Sequence, residues 1–575
     1  MKNSILRVLS LALSVLLLVG STACGKTDTD SKKDLTVSNE SATETEKVID
    51  SETGESLTLR KLKIDNTRSV QENFLGINAV WQGYMYMPDA YGREYSEKQI
   101  AEELERVKKM ELKMARTYYD WGLTAVYNED GTVKKNADGS ICWDYDNDLM
   151  KGLYKWIEAL KGLDIEVALN LGWGANILGE TTVFGHKNPF YGMTVDEVTK
   201  AYSDWVARSI EEIVVKRGYT NVTYGIVFTE PYVKYNIHGR NMKELTEADK
   251  ALPGGELRQT DWYCDYAVPS VVSALKKAGI RDKIKLVGPN VVVPDDLDNH
   301  PDAATITIRE RVQWFIDKLD KYIDVYSFHW YAPRYPGTGS VEMDMYADTV
   351  DKQSYHISEF TSVLNQTGKE FWFDEMNYVY VSSGMATHNA VIHNWSGTQL
   401  SELLIANMNA GLQNQFLWSL NDIQWPLRNN TSGEFKKGVH MTGTYPSLNT
   451  SATPYSQYYG YTLLSKYLGG GEGVCVFAGS GKKGVYSTMV KQKNGNITVM
   501  VVNTNVSKQA FRIDFDQAIS EKGVKLNRHL YNPEEISPDS NAEIIGIDKV
   551  FTSVSKHLQD TLPPGGVALY TTRTD

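Results

Sequence analysis

The chain has 575 residues, of which 42% are hydrophobic and 23% are charged, and its formal net charge is −12. This ordinary globular mixture supplies enough apolar side chains for a large core. The length is compatible with anything from one large domain to about four small ones. An acidic chain lacks the basic face that nucleic-acid-binding proteins usually carry, so the composition argues against a nucleic-acid partner.

The first 24 residues have the pattern of an export signal. Lys2 and Arg7 precede a short apolar run over 8–19, and small residues lead to Cys24. The run is shorter than the roughly 20 residues that a membrane-spanning helix needs, so we predict a cleaved signal segment. The Ala23-Cys24 pair resembles the lipobox of bacterial lipoproteins. That resemblance implies lipidation of Cys24 and anchoring on the outer face of the cell membrane; secretion after cleavage near Ala23 is the alternative.

Residues 25–57 contain no aromatic side chain and are rich in Ser, Thr, Asp and Glu. Such a segment cannot bury enough apolar surface to offset the entropy of ordering, and we predict a disordered tether. The three remaining cysteines are far apart and odd in number, so no disulfide framework can be read from them. No Cys/His cluster has zinc spacing, and we predict neither a metal nor a cofactor.

From residue 74 the chain alternates short β-rich runs with amphipathic segments that have helical spacing. The first helical segment begins after Ser96, which we predict to be its N-cap. Eight strands that each precede a helix indicate a (β/α)8 TIM barrel, which we place at 58–465. The predicted strands are Phe74–Val80, Leu112–Tyr118, Ile165–Leu171, Val222–Phe228, Ile284–Val287, Val325–Phe328, Glu370–Phe373 and Gln415–Trp418.

After residue 466 the pattern changes to short β-rich runs without a long helix. Asn494-Gly495 lies between two such runs and is a strong hairpin signal. We therefore predict a C-terminal β-sandwich over 466–575. The strand-like sequence LTLRKLKID, which precedes the barrel, is expected to pair into this second domain.

Two glutamates follow predicted barrel strands at the end where TIM barrels carry their active sites. Glu230 comes directly after the fourth strand and Glu375 directly after the seventh, so the two should face each other across the barrel mouth. Carboxyl groups about 5–5.5 Å apart support retaining glycoside hydrolysis, with one protonated and the other ionised. Asp374 precedes Glu375, and strand alternation predicts that it points away from the cleft.

These motifs, "YGIVFTEPY" and "KEFWFDEMNY", resemble those of glycoside hydrolase clan A, with families 5 and 39 nearest in layout. The resemblance covers about 70–465 and implies that Glu230 is the acid/base and Glu375 the nucleophile. It further implies a set of residues that bind substrate or support the nucleophile. These are Arg116 beside the nucleophile, His329 in the cleft, Tyr331 near Glu375, Trp418 as the platform under the sugar, and Asn78, Trp81 and Trp173 along the sugar-binding end.

The sequence departs from the clan at Thr229, where the clan usually has an Asn that contacts the sugar 2-hydroxyl. Thr229 has only a short hydroxyl, so the sugar 2-hydroxyl would be contacted in a different way or through a water molecule. The resemblance as a whole implies a retaining β-glycoside hydrolase that acts on extracellular poly- or oligosaccharide. Two alternatives stay open: a catalytically weak or inactive carbohydrate-binding surface lipoprotein, which Thr229 favours, and a transglycosylase that uses the same residues.

Overall fold

The protein is described here by a computed structural model. The residues it describes are 46–50, 53–88, 94–173, 177–180, 182, 186–293, 305–334, 349–382, 385–386, 394–424, 439–440, 443–446, 448, 451–482 and 484–574. The predicted signal segment, Cys24 and residues 25–45 of the predicted tether lie outside this part of the chain.

The end of the predicted tether is an ordered hairpin, which corrects the prediction for 46–57. Lys47–Ile49 (β1) pairs antiparallel with the first residues of Ser56–Ile64 (β2). Val48 packs against a small apolar cluster that β2 contributes to, and the buried Asp50 carboxylate forms an ion pair with Lys508. The average composition of 25–57 hides this local pairing, because only a few residues near its end, Val48, Ile49 and Leu57, supply the apolar side chains of the hairpin.

All eight predicted barrel strands are present. They pair in parallel in chain order, and the last pairs with the first, so the sheet closes into a TIM barrel as predicted. The strands are Gly76–Val80 (β3), Met114–Tyr119 (β4), Glu166–Trp173 (β5), Val222–Thr229 (β6), Lys285–Val292 (β7), Val325–Arg334 (β8), Glu370–Ser382 (β9) and Asn414–Leu417 (β11). Between the last two lies a two-residue strand, Met385–Ala386 (β10).

Helices surround the barrel, and several begin at the capping residues that the sequence indicates. Ser96 and Thr194 each form a capping box, in which the cap hydroxyl and the side chain three residues later bond reciprocally to the backbone. The helices are Glu97–Met110 (α1), Asp148–Gly162 (α2), Val195–Ile210 (α3), Glu247–Lys250 (α4), Gln259–Trp262 (α5), Val268–Lys277 (α6), Ile308–Leu319 (α7), Thr349–Leu364 (α8), Ser396–Asn409 (α9) and Ser456–Leu468 (α10). Within the described residues, no helix combines the length and the apolar character that crossing a membrane requires.

The barrel interior is filled with side chains rather than open. Inward-facing apolar residues from all eight strands form one cluster. Such packing is typical of TIM barrels, whose active sites lie above the core at the carboxyl ends of the strands. The cluster comprises Val80, Met114, Ala168, Tyr224, Ile226, Val287, Val325, Trp372 and Phe416.

The second domain is a ten-stranded mixed sheet in which β2 pairs antiparallel with β14 and parallel with β17. The strand before the barrel thus lies in this domain. We predicted a sandwich of two sheets, and the observed sheet is continuous because β2 joins its two parts. The C-terminal strands are Cys475–Lys482 (β14), Val485–Lys491 (β15), Ile497–Asn503 (β16), Gln509–Phe515 (β17), Val524–Tyr531 (β18), Ile547–Val554 (β19), His557–Leu562 (β20) and Val567–Thr571 (β21). Ile423–Gln424 (β12) and Val439–His440 (β13) form a separate pair.

This second domain packs on the barrel beside strands β9 and β11. Helices α9 and α10 are almost entirely buried between the two. Across the junction, the Tyr531 hydroxyl donates to the Asn394 carbonyl, and Arg573 forms a two-pronged ion pair with Glu111 at 2.8 and 3.1 Å. Bidentate pairs of this kind fix geometry as well as adding stability. These contacts join the second domain to the helical layer of the barrel.

Candidate active site

A β-bulge in β9 sets the direction of Glu375. The register of β9 shifts against β8 between Phe373 and Glu375, and against β11 between Phe373 and Met376. A bulge breaks strict alternation and re-aims side chains. As a result, both Asp374 and Glu375 are buried in the barrel. The prediction that Asp374 points away is wrong, because the alternation argument assumed a regular strand.

Glu375 is held by four side chains. Its Oε1 accepts hydrogen bonds from Arg116 Nη1 at 2.8 Å and from the Tyr118 hydroxyl. Its Oε2 accepts one from the Tyr331 hydroxyl at 2.8 Å and lies 3.2 Å from His329 Nδ1. Burial opposes ionisation, but the charges of His329 and Arg116 and the two hydroxyl donors outweigh it, so the pKa of Glu375 is lowered. Glu375 is therefore an ionised, oriented carboxylate, as a nucleophile must be.

Glu230 reaches the same place from the end of β6. Thr229 points into the barrel, so regular alternation would turn Glu230 outward. The backbone instead takes the left-handed conformation at Phe228 (φ 57°) and Glu230 (φ 56°), which is uncommon for residues other than glycine. The Glu230 amide donates to the Asn290 carbonyl at 2.9 Å. Its carboxylate Oε1 then lies 3.1 Å from His329 Nδ1.

The two glutamates converge over a single histidine. A carboxylate oxygen of Glu230, one of Glu375 and a ring nitrogen of His329 all lie within 4.8 Å of one another. Their side chains differ in exposure, at 22% for Glu230 and 4% for Glu375. One carboxylate is therefore buried among cations and donors, while the other faces the opening. This is the asymmetry that an acid and a nucleophile require.

The same three side chains are the group, among the described residues, that could offer ligands to a cation. His329 is poorly suited to that role. Burial lowers the pKa of His329. The charge of Glu375, the hydrogen bond to Glu230 and the charge of Asp374 raise it by a larger amount, so the net shift is upward. A raised pKa makes His329 harder to deprotonate for metal binding, and Arg116 already compensates the Glu375 charge at 2.8 Å. The donor set fits a carboxylate pair better than a metal site.

Aromatic side chains border Glu375. Trp418 follows β11, is half-buried and meets the Tyr118 ring edge-to-face at 5.8 Å. The Arg116 guanidinium lies 5.2 Å from the Tyr118 ring centre. Trp418 is thus placed beside Glu375, where a sugar ring could stack on its exposed part.

No protein-family model matches the sequence, and no curated protein matches it either. Solved structures do match over most of the chain. One is a family 51 α-L-arabinofuranosidase from Bifidobacterium longum, with a TM-score of 0.56, 12% identity, and coverage of 89% of this chain and 99% of that one. Another is the catalytic domain of family 30 xylanase C from Talaromyces cellulolyticus, with a TM-score of 0.52, 11% identity, and coverage of 90% and 100%. A glucosidase from Croceicoccus marinus matches with a TM-score of 0.52, 12% identity, and coverage of 90% and 100%.

This chain shares the fold of these glycoside hydrolases. At 11–12% identity this likeness establishes the fold alone.

Thr229 does not face the cleft. It is fully buried, its hydroxyl donates to Asn170 Oδ1, and it accepts from Arg116 Nη2 at 3.4 Å. The prediction that Thr229 contacts substrate is therefore wrong, because a hydroxyl on an inward-facing position is consumed by the polar network beneath the nucleophile. Asn170 and the neighbouring Asn290 complete this network around Arg116.

Asn78 and Trp81 also contact other parts of the protein rather than the cleft. Asn78 lies low in the packed barrel, where its side chain donates to Asn414 at 2.8 Å and accepts from the Met114 amide at 2.8 Å. Trp81 is fully buried and donates from Nε1 to Glu103 at 2.9 Å. Both predictions of sugar contact are wrong, because these side chains point into the core and toward the helical layer. Trp173 ends β5, and its side chain lies outside the described part of the structure.

Tyr118 is a site residue that the sequence reasoning missed. It lies two positions after Arg116 on the same strand, and alternation puts residues i and i+2 on one face. That spacing could have identified it once Arg116 was placed beside the nucleophile. Asp374 and Asn290 carried no such signal, since their inward positions depend on a bulge and on a left-handed residue (Asn290, φ 60°).

Removing either of the two tyrosine hydroxyls that donate to Glu375 should lower activity. We expect Tyr331→Phe and Tyr118→Phe each to lower kcat/KM by about 10- to 100-fold, since a hydrogen bond to a charged group contributes about 1.5–3 kcal/mol. Both hydroxyls hold the pKa of Glu375 down. Their loss should therefore move the acidic limb of the pH–rate profile to higher pH, as a profile from pH 4 to 8 would record. An unchanged limb in both variants would contradict the assigned contacts.

Proposed function

We propose that this protein is a retaining β-glycoside hydrolase of poly- or oligosaccharide. The observation that carries the proposal is the convergence of Glu230 and Glu375 to within 4.8 Å at the carboxyl end of a closed barrel. Retaining glycosidases hold their two carboxyl groups about 5–5.5 Å apart, whereas inverting enzymes need about 6.5–9.5 Å to admit a water molecule.

The chemistry takes place in two displacements. Glu375 attacks the anomeric carbon while Glu230 donates its proton to the leaving oxygen, which gives a glycosyl ester on Glu375 and a free alcohol. Glu230, now ionised, removes a proton from water as the water attacks the same carbon and releases Glu375. Arg116, Tyr118 and Tyr331 hold the nucleophile in position throughout. Two carboxyl groups supply both steps, so the proposal includes no cofactor.

The structural relatives support a carbohydrate substrate. By name they include a xylanase, an arabinofuranosidase and an endo-β1,6-glucanase, the last with a TM-score of 0.51. These names differ in sugar and in linkage, so they support the class of substrate and leave the individual sugar open. The half-buried Trp418 beside Glu375 is suited to stack on the apolar face of a sugar ring.

A panel of aryl β-glycosides tests the proposal. Purified protein that begins at residue 46 should hydrolyse at least one member of a panel covering glucosides, xylosides, galactosides and arabinosides. Glu375→Gln, prepared in parallel, controls for contaminating glycosidases. A folded protein that cleaves no member and still binds oligosaccharide would instead be a carbohydrate-binding protein on an inactive barrel.

The N-terminal sequence extends the proposal to location. We infer export and lipid anchoring through Cys24, which would hold the barrel at the cell surface near extracellular polysaccharide. One relative is named a conserved exported protein from Bacteroides fragilis, with a TM-score of 0.51. The full chain expressed in a bacterium should incorporate labelled palmitate, and Cys24→Ala should lose the label and appear in the soluble fraction. Equal labelling of both chains would contradict the anchor.

A further inference from the structure

Asp374 lies directly beneath the two glutamates, and the two displacement steps do not use it. Its side chain is fully buried. Oδ2 accepts a hydrogen bond from Asn290 and lies 3.8 Å from Arg116 Nη1. Oδ1 has no hydrogen-bond partner among the described residues, and it faces His329 Nε2 at 3.7 Å. That nitrogen is likewise buried and without a hydrogen-bond partner in the described part of the chain.

We propose that Asp374 is a positioning residue that keeps His329 doubly protonated, so that the Nδ1 proton of His329 is shared between Glu230 and Glu375. The role rests on the proposed glycosidase function, because it concerns the two carboxyl groups that carry out that reaction. Asp374 acts through His329 and touches no substrate.

The positions of the ring nitrogens favour the imidazolium form. Nδ1 lies 3.1 Å from a Glu230 oxygen and 3.2 Å from a Glu375 oxygen, and Nε2 faces the Asp374 oxygen. A neutral imidazole carries one N–H, so one of its nitrogens would direct a lone pair at a carboxylate. Only the imidazolium offers a proton on both sides. The pKa of His329 is raised despite burial, which agrees with this arrangement.

The charged groups around His329 also favour the imidazolium form. Two carboxyl groups come from β9, Asp374 and Glu375, and one follows β6, Glu230. Arg116 on β4 is the second cation, and the phenols near these groups are Tyr118, Tyr331 and Tyr263. Buried charges are costly unless they are paired.

Burial raises the pKa of Asp374, and the charges of Arg116 and His329 oppose that rise. The arginine and the imidazolium together therefore favour the ionised form of both carboxyl groups of β9. Glu230 is the most exposed of the three carboxyl groups, at 22%, so it is the one best placed to meet a substrate. Without Asp374, the two cations would face a single buried carboxylate, and Nε2 of His329 would lose the charge that it faces. Asp374 thus lets one histidine contact both glutamates through its Nδ1 proton.

Asp374→Asn tests this role. Asn keeps the shape and the contact with Asn290 but removes the charge that faces Nε2. We expect His329 to lose its proton at a pH lower by at least about one unit. At pH values above this lowered pKa, the neutral ring no longer offers a proton on both nitrogens, so kcat/KM should fall at a lower pH than in the wild type.

Histidine NMR provides the readout that does not depend on turnover. Protein labelled with ¹⁵N-histidine is titrated as wild type and as Asp374→Asn, and His329→Gln assigns the resonances. Wild-type His329 should carry protons on both nitrogens at pH 7. Ser327→Ala is the matched control, because it removes a buried hydroxyl from the same strand, two residues before His329, that has no partner among the described residues.

The outcomes separate this role from the proposed function. A neutral wild-type His329 at pH 7, or an unmoved titration in Asp374→Asn, overturns the role of Asp374 even if the wild type hydrolyses glycosides. A doubly protonated His329 whose titration moves in Asp374→Asn but not in Ser327→Ala supports the arrangement, and turnover of aryl glycosides then decides the function. If Asp374→Asn fails to fold, the wild-type spectrum alone still decides the protonation state.

Discussion

Glu375→Gln should reduce turnover of every accepted glycoside by roughly 10⁴-fold or more, since removal of the covalent nucleophile costs other hydrolases at least that much. The amide cannot form the glycosyl ester on which both displacements depend. Folding should persist, because Arg116 keeps its bond to the Asp374 carbonyl at 2.7 Å and its ion pair with the Asp374 side chain. The measurement is kcat/KM on an activated aryl glycoside together with the melting temperature.

Glu370→Gln is the control for that variant. Glu370 begins the same strand at the opposite end of the barrel and forms an exposed ion pair with Lys285 at 2.7 Å. Such pairs contribute at most about 1 kcal/mol, so this variant should keep wild-type kinetics. If Glu375→Gln kept appreciable activity, or lost it only by unfolding, the nucleophile assignment would be contradicted.

Glu230→Ala should have an effect that depends on the leaving group. For glycosides with poorly acidic leaving alcohols, we expect a loss of about 10²–10⁴-fold, the usual contribution of general acid catalysis. For dinitrophenyl glycosides, which need no protonation to depart, the first displacement should be nearly unaffected. The second displacement then becomes slow because the water has no base, and the glycosyl ester should accumulate as a burst of released phenol.

Azide gives that variant a second test. It needs no general base, so it should restore turnover of the dinitrophenyl glycoside and yield a glycosyl azide of unchanged anomeric configuration. Equal losses on good and poor leaving groups, with no rescue by azide, would contradict the acid/base role of Glu230. Wild-type enzyme assayed with the same azide concentrations controls for general salt effects.

Regular elements were the part of the fold that could be predicted. The alternation of eight β-rich runs with amphipathic segments is a local pattern, and closure of the barrel follows from it because parallel strands joined by helices have few other arrangements. The boundaries of the second domain were harder to read. The short hairpin at Lys47–Ile49 lies inside a polar segment, and its order depends on contacts with residues near Ala510 and Lys508.

At the site, the resemblance brought together Glu230, Glu375 and His329, which converge although residues far apart in sequence supply them. Strand alternation could not have done so, because the inward directions of Glu230 and Asp374 depend on left-handed residues and on a bulge. Thr229 was assigned by resemblance, and its buried hydroxyl is bonded to Asn170 and Arg116 instead. Departures from regular pairing of this kind are not encoded by single-residue preferences.

The stereochemistry of hydrolysis distinguishes double displacement from direct attack by water. A β-glycoside accepted by the enzyme is followed by ¹H NMR, and the anomeric proton of the first-formed sugar is observed before mutarotation. Two carboxylates that act by double displacement must release the β anomer first. Initial release of the α anomer would contradict the account, because it would require water to enter between Glu230 and Glu375 rather than a bond to Glu375.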